Sequence, residues 1–174
     1  MIYMQKTQKY KAYIMEKYKV NVIQISQSIS PTKYNELIEF AKNCSWNGTG
    51  KYFADLLADN EFDNTEKIFA AIHNNQIIGF AGLVKESCIE DVEYTPWLDF
   101  LFVDETYRNK GVAGMLTKHI LHIAQNDNID NIYLCTASHE QMYMKFGFHT
   151  FFRTKINNNT DDCAVMKLSI NDDI

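Results

Sequence analysis

The sequence has no apolar run of about 18 residues, the length that a membrane-spanning helix requires. Its first 25 residues also lack the apolar core of a secretory signal peptide. We therefore expect a cytoplasmic protein that binds no membrane. Only two prolines and seven glycines occur among 174 residues, and this scarcity excludes collagen-like and disordered chains.

An excess of basic residues is also missing, because 17 Lys and Arg face 22 Asp and Glu and give a formal charge of -5. Nucleic-acid binding needs a concentrated basic surface, so we expect no nucleic-acid partner. The local exception is residues 1–19, where five Lys and one Glu give +4 and leave -9 on the rest. Two interpretations of this segment stay open. It is either an amphipathic helix packed on the domain or on the partner subunit of a homodimer, or a solvated extension.

Cysteine spacing excludes two further kinds of site. The four cysteines form no C-x-x-C pair, so the sequence predicts neither a zinc site nor a redox motif. Residues 139–143 begin like a zincin helix, but Tyr143 stands where the second His must be, and we expect no metal. We expect four reduced thiols, mostly buried. They are Cys44, Cys88, Cys135 and Cys163.

What the chain has in quantity is apolar residues, which make up 46% of the sequence and include 11 Phe and 10 Tyr. This composition is enough to bury the core of one ordinary globular domain. We therefore predict a basic extension at residues 1–19 followed by a single domain at residues 20–174.

Hydrophobic periodicity predicts the element order β-α-α-β-β-β-α-β-α-β-β, a mixed α/β chain. The nearly continuous apolar run at 97–103 predicts a central strand covered on both faces. A right-handed crossover through the helix from Val112 would make this strand and the strand at 131–136 parallel. Other strands are predicted at 20–26, 67–73, 77–85, 148–153 and 163–169. Other helices are predicted from Pro31 to about Lys42, after the loop of residues 46–50, and from a Ser138 cap to Gly147.

The most informative stretch is residues 108–114 (RNKGVAG), between the predicted central strand and the long helix. A loop that leads into a helix leaves the first helical N–H groups unpaired, where the positive end of the helix dipole favours an anion. Gly111, Ala113 and Gly114 allow a ligand close to that backbone, and the two basic residues of the stretch add charge. The stretch therefore predicts a phosphate site.

An alternative stays open, in which Gly111 only ends the loop and Gly114 only permits close helix packing. Two other phosphate loops are excluded. A Rossmann fingerprint needs glycine where Asn109 stands. A Walker A loop ending near Lys51 needs glycine where Ser45 stands.

Two linked motifs resemble those of the GNAT superfamily of N-acetyltransferases. The R-x-x-G-x-A pattern at 108–113, after L-F-V at 101–103, resembles the acetyl-CoA motif of that superfamily. The Y-x-x-x-G-F pattern at 143–148 resembles its second signature. The predicted element order from about residue 20 to 169 also resembles the GNAT fold. That is an α/β fold in which a mixed central sheet with splayed parallel strands is flanked by helices.

The resemblance implies acetyl-CoA as the cofactor and assigns its contacts. A bulge would splay the central strand from its parallel neighbour and let Leu101 and Val103 hydrogen-bond the pantetheine arm. The amides of residues 109–114 would hold the pyrophosphate, and Tyr143 would be the general acid for the departing thiolate. The family often has Asn after the next strand, where this chain offers hydroxyls. The implied cofactor-binding residues are Leu101, Phe102, Val103, Arg108, Asn109, Lys110, Gly111, Val112, Ala113, Gly114, Thr136 and Ser138.

The acceptor amine must lose its ammonium proton before it attacks the thioester, so a base or a water chain is needed. Asp99 lies two residues before Leu101 and hence on the same face of the strand. Some members of the superfamily place a base at this position. An Asp with the ordinary pKa of about 3.9 is a poor base, so Asp99 would need burial or a water relay. The alternative is that Asp99 orients the acceptor or accepts a hydrogen bond from a neighbouring donor.

Residues 86–99 contain five acidic residues and no Lys or Arg. They form either a solvated surface or a negative pocket mouth that concentrates a cationic amine. Glu93 of this stretch is predicted to line the acceptor pocket. For Trp46, Tyr52 and Trp97 two interpretations stay open, a wall of the same pocket or packing in the core or at its rim. The five acidic residues are Glu86, Glu90, Asp91, Glu93 and Asp99.

The leading hypothesis is an N-acetyltransferase that transfers an acetyl group from acetyl-CoA to a primary amine by direct attack in a ternary complex. A runner-up is a non-catalytic acyl-CoA-binding module that serves as a sensor or a partner-docking domain. Tyr143 favours the enzyme, because a binding module needs no acid for a thiolate. A third alternative is an acyltransferase that uses a longer acyl chain.

Overall fold

A computed structural model describes residues 19–28, 30–89, 92–156 and 161–170. Except for Lys19, the predicted extension at residues 1–19 lies outside these ranges. The described strands are β1 (Asn21–Ile25), β2 (Lys67–His73), β3 (Gln76–Val84), β4 (Trp97–Val103), β5 (Asn131–Thr136), β6 (His149–Ile156) and β7 (Asp161–Ser169). The described α-helices are α1 (Pro31–Lys42), α2 (Asn47–Ala58), α3 (Val112–Asn126) and α4 (Glu140–Met144), and a 3-10 helix spans Glu105–Tyr107.

The described strands form one mixed sheet in the order β1-β2-β3-β4-β5-β7-β6. The predicted central position of β4 is confirmed. β5 runs parallel to β4, with Trp97 opposite Tyr133, as a crossover through α3 predicts. β1 is antiparallel to β2, and β7 is antiparallel to both β5 and β6.

The connection between β2 and β3 is a tight turn at Asn74 and Asn75. Both residues have positive φ, at 49° and 65°, as a two-residue hairpin turn requires and as Asn tolerates. The sequence predicts that the second of these strands begins at residue 77, whereas β3 already begins at Gln76, so only two residues connect the strands.

The described contacts divide the chain into two compact units. The first unit reaches to Glu61 and includes Ile68–Ala81 and Phe100–Thr117. Its core is aromatic. The Phe53 ring centroid lies 4.7 Å from those of Phe80 and Phe100, and Phe80 lies 5.3 Å from Phe102.

The prediction of a loop at residues 46–50 is wrong for most of that stretch, because α2 already begins at Asn47. The reason is the packing of α2 on α1 at Gly50. A Cβ atom at Gly50 would lie 2.6 Å from the carbonyl oxygen of Ala41, so only glycine permits this approach. Gly50 therefore marks a helix contact rather than a turn.

The second unit includes Phe62–Lys67, Gly82–Asp99 and the chain from Lys118 onward. Its sheet core contains Ile132, Leu134 and Met166, all nearly inaccessible to solvent. Between Thr150 and Phe152, β6 shifts register against β7 as at a β-bulge. None of the helices in the described part of the chain has the length and hydropathy of a membrane span.

Cys135 and Cys163 form a disulfide between β5 and β7, with Cα atoms 6.2 Å apart. The prediction of four reduced thiols is therefore wrong. The antiparallel register places Cys135 opposite Val165, two residues from Cys163 and on the same face of the sheet. Of the other two cysteines, Cys44 is half-buried and Cys88 is exposed, so most of the thiols are not buried either.

Candidate active site

Strand β4 changes its backbone conformation at Phe100, directly before the residues expected to contact pantetheine. Phe100 has φ 53°, a left-handed conformation that is a genuine outlier for a bulky side chain. Its buried ring stacks on Phe53, and this packing holds the backbone in place. Such local strain is concentrated at functional sites.

Beyond Phe100, one edge of β4 is occupied by β3. The carbonyl oxygen of Phe102 faces the position where a Cβ atom of Gly79 would lie, at 2.7 Å, and the N–H of Asp104 donates to the carbonyl of Ile78 at 2.9 Å. Backbone groups alternate in direction along a strand. The backbone groups of Leu101 and Val103 therefore point away from β3.

Asp104 and Arg108 fix the chain between β4 and α3. The Asp104 carboxylate accepts hydrogen bonds from the backbone N–H and the hydroxyl of Thr106 at the start of the 3-10 helix. Arg108 donates from Nε to the carbonyl oxygen of Val103 at 3.1 Å. Its guanidinium carbon lies 5.7 Å from the centroid of Phe102. The positive charge of Arg108 is thus held beside the end of β4.

Lys110 folds back over the same 3-10 helix. Its ammonium group donates to the carbonyl oxygen of Thr106 at 2.5 Å and lies 5.1 Å from the centroid of the Tyr107 ring. The Tyr107 hydroxyl lies 3.1 Å from Nδ1 of His73. These contacts hold the loop through its side chains. They do not use the backbone amides of the loop, which stay available for a ligand.

The backbone of residues 109–114 has the conformation of an anion site. Asn109 and Gly111 both have positive φ, at 60° and 83°. No atom lies within 4 Å of the position that a Cβ atom of Gly111 would take, so the surface there is open. The N–H of Met115 donates to the carbonyl of Gly111 at 3.0 Å and begins the intrahelical hydrogen bonds of α3. The amides before Met115 are those that a helix leaves without an intrahelical partner. The loop therefore fits a pyrophosphate group.

Trp46 lies beside this loop within the first unit. Its ring, 37% exposed, stacks on Phe102 with centroids 6.2 Å apart. The Arg108 guanidinium reaches the hydroxyl of the neighbouring Ser45 at 3.4 Å. The structure thus groups Trp46 with two residues predicted to bind the cofactor. Tyr52 is also exposed and lies 6.3 Å from Phe100 between ring centroids.

In the second unit, the structure brings Tyr143 and Asp99 together. Tyr143 lies on α4, is 8% exposed, and packs edge-on against Phe148 with centroids 6.0 Å apart. Burial, followed by the negative charge of Asp99, raises the pKa of the Tyr143 phenol above its ordinary value. Asp99 itself is half-buried on β4.

Cys88 is a further neighbour of Asp99 and lies outside the set of site residues that the sequence predicts. The residue is exposed overall, yet desolvation of its thiol, followed by the charge of Asp99, raises its pKa. No sequence motif marks this neighbourhood, because residues 88 and 99 are joined only by the folded chain.

The hydroxyls after β5 already have protein partners. The Thr136 hydroxyl accepts from the backbone N–H of His139 at 3.1 Å. The Ser138 hydroxyl is 2.9 Å from Nδ1 of His139. The predicted cap at Ser138 is wrong, because α4 begins at Glu140 and its N-cap residue is His139. The His139 side chain makes no capping hydrogen bond.

The predicted acceptor residues of the second unit differ in exposure. Trp97 is 1% exposed, and its Nε1 donates to the carbonyl oxygen of Tyr94 at 2.5 Å, so it packs as a core side chain. Glu93 and Glu86 are exposed. Glu90 and Asp91 lie outside the described residues. Among the residues that the structure describes, the exposed carboxylates of the acidic stretch at 86–99 are therefore those of Glu86 and Glu93.

Comparisons with known proteins place this geometry in a family. The acetyltransferase (GNAT) family matches residues 34–148. A spermine/spermidine N(1)-acetyltransferase from Bacillus subtilis (strain 168) is 28% identical over 103 residues, which cover 55% of this chain and 66% of that protein. The match thus spans slightly less than two thirds of that relative's length.

Solved structures give the same result for the fold. A GNAT-family acetyltransferase from Staphylococcus aureus Mu50 is 25% identical, with a TM-score of 0.62 over 87% of this chain and 99% of that one. An aminoglycoside 6'-N-acetyltransferase complexed with coenzyme A is 13% identical, with a TM-score of 0.66 over 88% and 99%. The predicted resemblance and the predicted fold are both confirmed.

Proposed function

The chain belongs to the acetyltransferase (GNAT) family, and we propose that it transfers an acetyl group from acetyl-CoA to a primary amine. The amine attacks the thioester directly in a ternary complex. The predicted cofactor, acetyl-CoA, is confirmed by this membership. The observation that carries the transfer reaction is the buried Tyr143 phenol beside Asp99. A protein that only binds acyl-CoA has no use for a buried proton donor.

Residues of the first unit would hold the cofactor. The amides of residues 109–114 bind the pyrophosphate, and the backbone groups of Leu101 and Val103, which point away from β3, bind the pantetheine arm. Acetyl-CoA supplies a thioester, whose carbonyl carbon is the electrophile and whose thiolate is the leaving group.

Tyr143 donates its proton to the sulfur of the departing thiolate. Its raised pKa keeps the phenol protonated at neutral pH. A desolvated thiolate is also more basic than one in water, which favours proton transfer to its sulfur. A positioned general acid typically contributes about 10² to 10⁴-fold in rate.

Asp99 is the candidate for accepting the ammonium proton of the acceptor, directly or through water, and its alternative role is to orient that amine. Asp99→Asn tests the first role. A base role requires a large loss of kcat that higher pH partly restores, because more of the amine is then uncharged. Unchanged kcat across the pH range would leave only the orienting role.

The proposed acceptor is a cationic amine. Glu86, Glu93 and Asp99 supply negative charge on one short stretch of the second unit, and such a surface concentrates cations. Two similar proteins are named for polycationic acceptors, spermine or spermidine in one case and aminoglycosides in the other.

The deciding experiment measures coenzyme A release with spermidine, an aminoglycoside, free amino acids and a peptide N-terminus as acceptors. We expect turnover with the polycations and little with the others. Turnover that favours a neutral amine contradicts the acceptor proposal. Thermal stabilisation by acetyl-CoA without turnover of any amine supports the non-catalytic binding module instead.

A further inference from the structure

The carboxylate of Glu140 ties α4 to strand β6. Nη2 of Arg153 lies 2.8 Å from each carboxylate oxygen, and the hydroxyl of Thr150 donates to Oε2 at 3.0 Å. The Glu140 side chain is 22% exposed, against 60% for that of Arg153. Glu140 thus accepts from two different residues of β6, and its side chain is only partly exposed.

Helix α4 needs such an attachment because it is only five residues long. A helix of this length is not stable by itself, since nucleation costs more than its few hydrogen bonds return. Its N-cap residue, His139, makes no side-chain capping hydrogen bond. The position of α4 is therefore set by contacts with the rest of the second unit.

Glu140 and Tyr143 are three residues apart on α4, a spacing that places them on neighbouring positions of one helix face. A shift of α4 at Glu140 therefore moves the Tyr143 ring. We propose that Glu140, through Arg153 and Thr150, is a positioning residue that holds the Tyr143 hydroxyl at the reacting thioester. This inference rests on the proposed role of Tyr143 as general acid.

An exposed ion pair of one Arg and one Glu contributes little to stability. The Glu140 contact differs from such a pair in two respects. Its carboxylate is the more buried partner, and the hydroxyl of Thr150 adds a second, neutral donor. Hydrogen bonds to an ionised group are stronger than neutral ones and fix geometry more tightly.

The test is a double-mutant cycle. Glu140→Ala should lower kcat by about tenfold, because a misplacement of about 1 Å can cost up to 10²-fold. The Kd for acetyl-CoA should stay nearly unchanged. In the Tyr143→Phe background the same substitution should change kcat by less than about twofold, since the hydroxyl that Glu140 positions is absent.

Thr150→Val provides a second variant that removes one hydrogen bond and keeps the side-chain shape. Its loss of kcat should be smaller than that of Glu140→Ala and should also vanish in the Tyr143→Phe background. If Glu140→Ala does not fold, Thr150→Val carries the test. The matched control is Asp127→Asn, which breaks the ion pair with Lys67 in the same unit and should leave kcat unchanged.

Reversal of the pair, with Glu140→Arg and Arg153→Glu combined, should recover part of the kcat that either change loses alone. The inference is overturned if Glu140→Ala and Thr150→Val keep wild-type kcat while Tyr143→Phe loses it, or if their losses persist in the Tyr143→Phe background. If Tyr143→Phe itself retains kcat, the general-acid proposal fails, and that result is distinguishable from the other two.

Discussion

The loop of residues 109–114 and helix α4 solve the problem of placing a functional group in opposite ways. The loop presents backbone amides, and its conformation is set by local features such as the positive φ of Asn109 and Gly111. α4 presents one side-chain hydroxyl, and its position depends on Glu140 contacts with residues 10 and 13 positions away. A site made of backbone amides can therefore be recognised from a short sequence motif. A site made of a side chain on a short helix depends on tertiary contacts.

The largest expected effect is a loss of kcat when the functional side chain of α4 is changed. Tyr143→Phe removes the hydroxyl and keeps the ring that packs on Phe148, so we expect kcat to fall by about 10² to 10⁴-fold. Acetyl-CoA Kd, measured by calorimetry, should stay nearly constant. Retention of kcat within about threefold, with chemistry shown to be rate-limiting, would contradict the role of Tyr143.

The next largest effect concerns acetyl-CoA binding by the loop of residues 109–114. Acetyl-CoA at about 100 times its Kd should stabilise the protein by roughly 2.7 kcal/mol, and Gly111→Glu should abolish this thermal shift by placing a negative charge at the pyrophosphate site. Gly111→Ala is the control. It costs about 1 kcal/mol because of the left-handed backbone but adds only a methyl group and no charge, so part of the shift should survive. An equal loss in both variants would mean that only the fold of the loop was damaged.

A smaller effect concerns the acidic stretch of the second unit. Raising NaCl from about 0.05 to 0.5 M should raise the acceptor KM several-fold, because the Debye length falls well below 10 Å. Glu93→Gln should weaken this salt dependence without changing kcat. A KM that does not respond to salt would remove the electrostatic argument for a cationic acceptor.

The smallest effect concerns stability in acid. Arg153 and then Thr150 lower the pKa of Glu140, and Lys85 and then Thr65 lower that of Asp63. A carboxyl with a lowered folded-state pKa stabilises the fold above its unfolded pKa of about 4, and this stability is lost as the pH falls through the folded-state value. Glu140→Gln and Asp63→Asn should therefore each reduce the drop in Tm below about pH 4. An equal drop in Tm with falling pH in the variant and in the wild type would contradict this prediction.

The elements with strong local patterns were predictable from the sequence. β5 has the predicted bounds, β4 has the predicted central position, and α3 begins at the predicted Val112. The loop of residues 109–114 was predictable for the same reason, because a strand, small residues and an amphipathic helix follow one another directly in the chain. The roles of its residues remain predictions.

The features that the sequence analysis missed all depend on which distant segments meet. The sequence predicts a loop at Gly50, since nothing local shows that Ala41 lies against it. The Cys135–Cys163 disulfide depends on the register of β5 and β7. The contacts of Glu140 depend on the return of the chain along β6. Periodicity describes one element at a time and carries no information about such pairings.

The register shift in β6 has a consequence for behaviour in concentrated solution. β6 is the last strand in the described sheet order, and an edge strand can pair with the edge of another molecule and start aggregation. The shift between Thr150 and Phe152 interrupts the flat edge, and the exposed Arg153 and Lys155 place positive charge along it. Arg153 therefore discourages strand addition by a second molecule while it anchors α4.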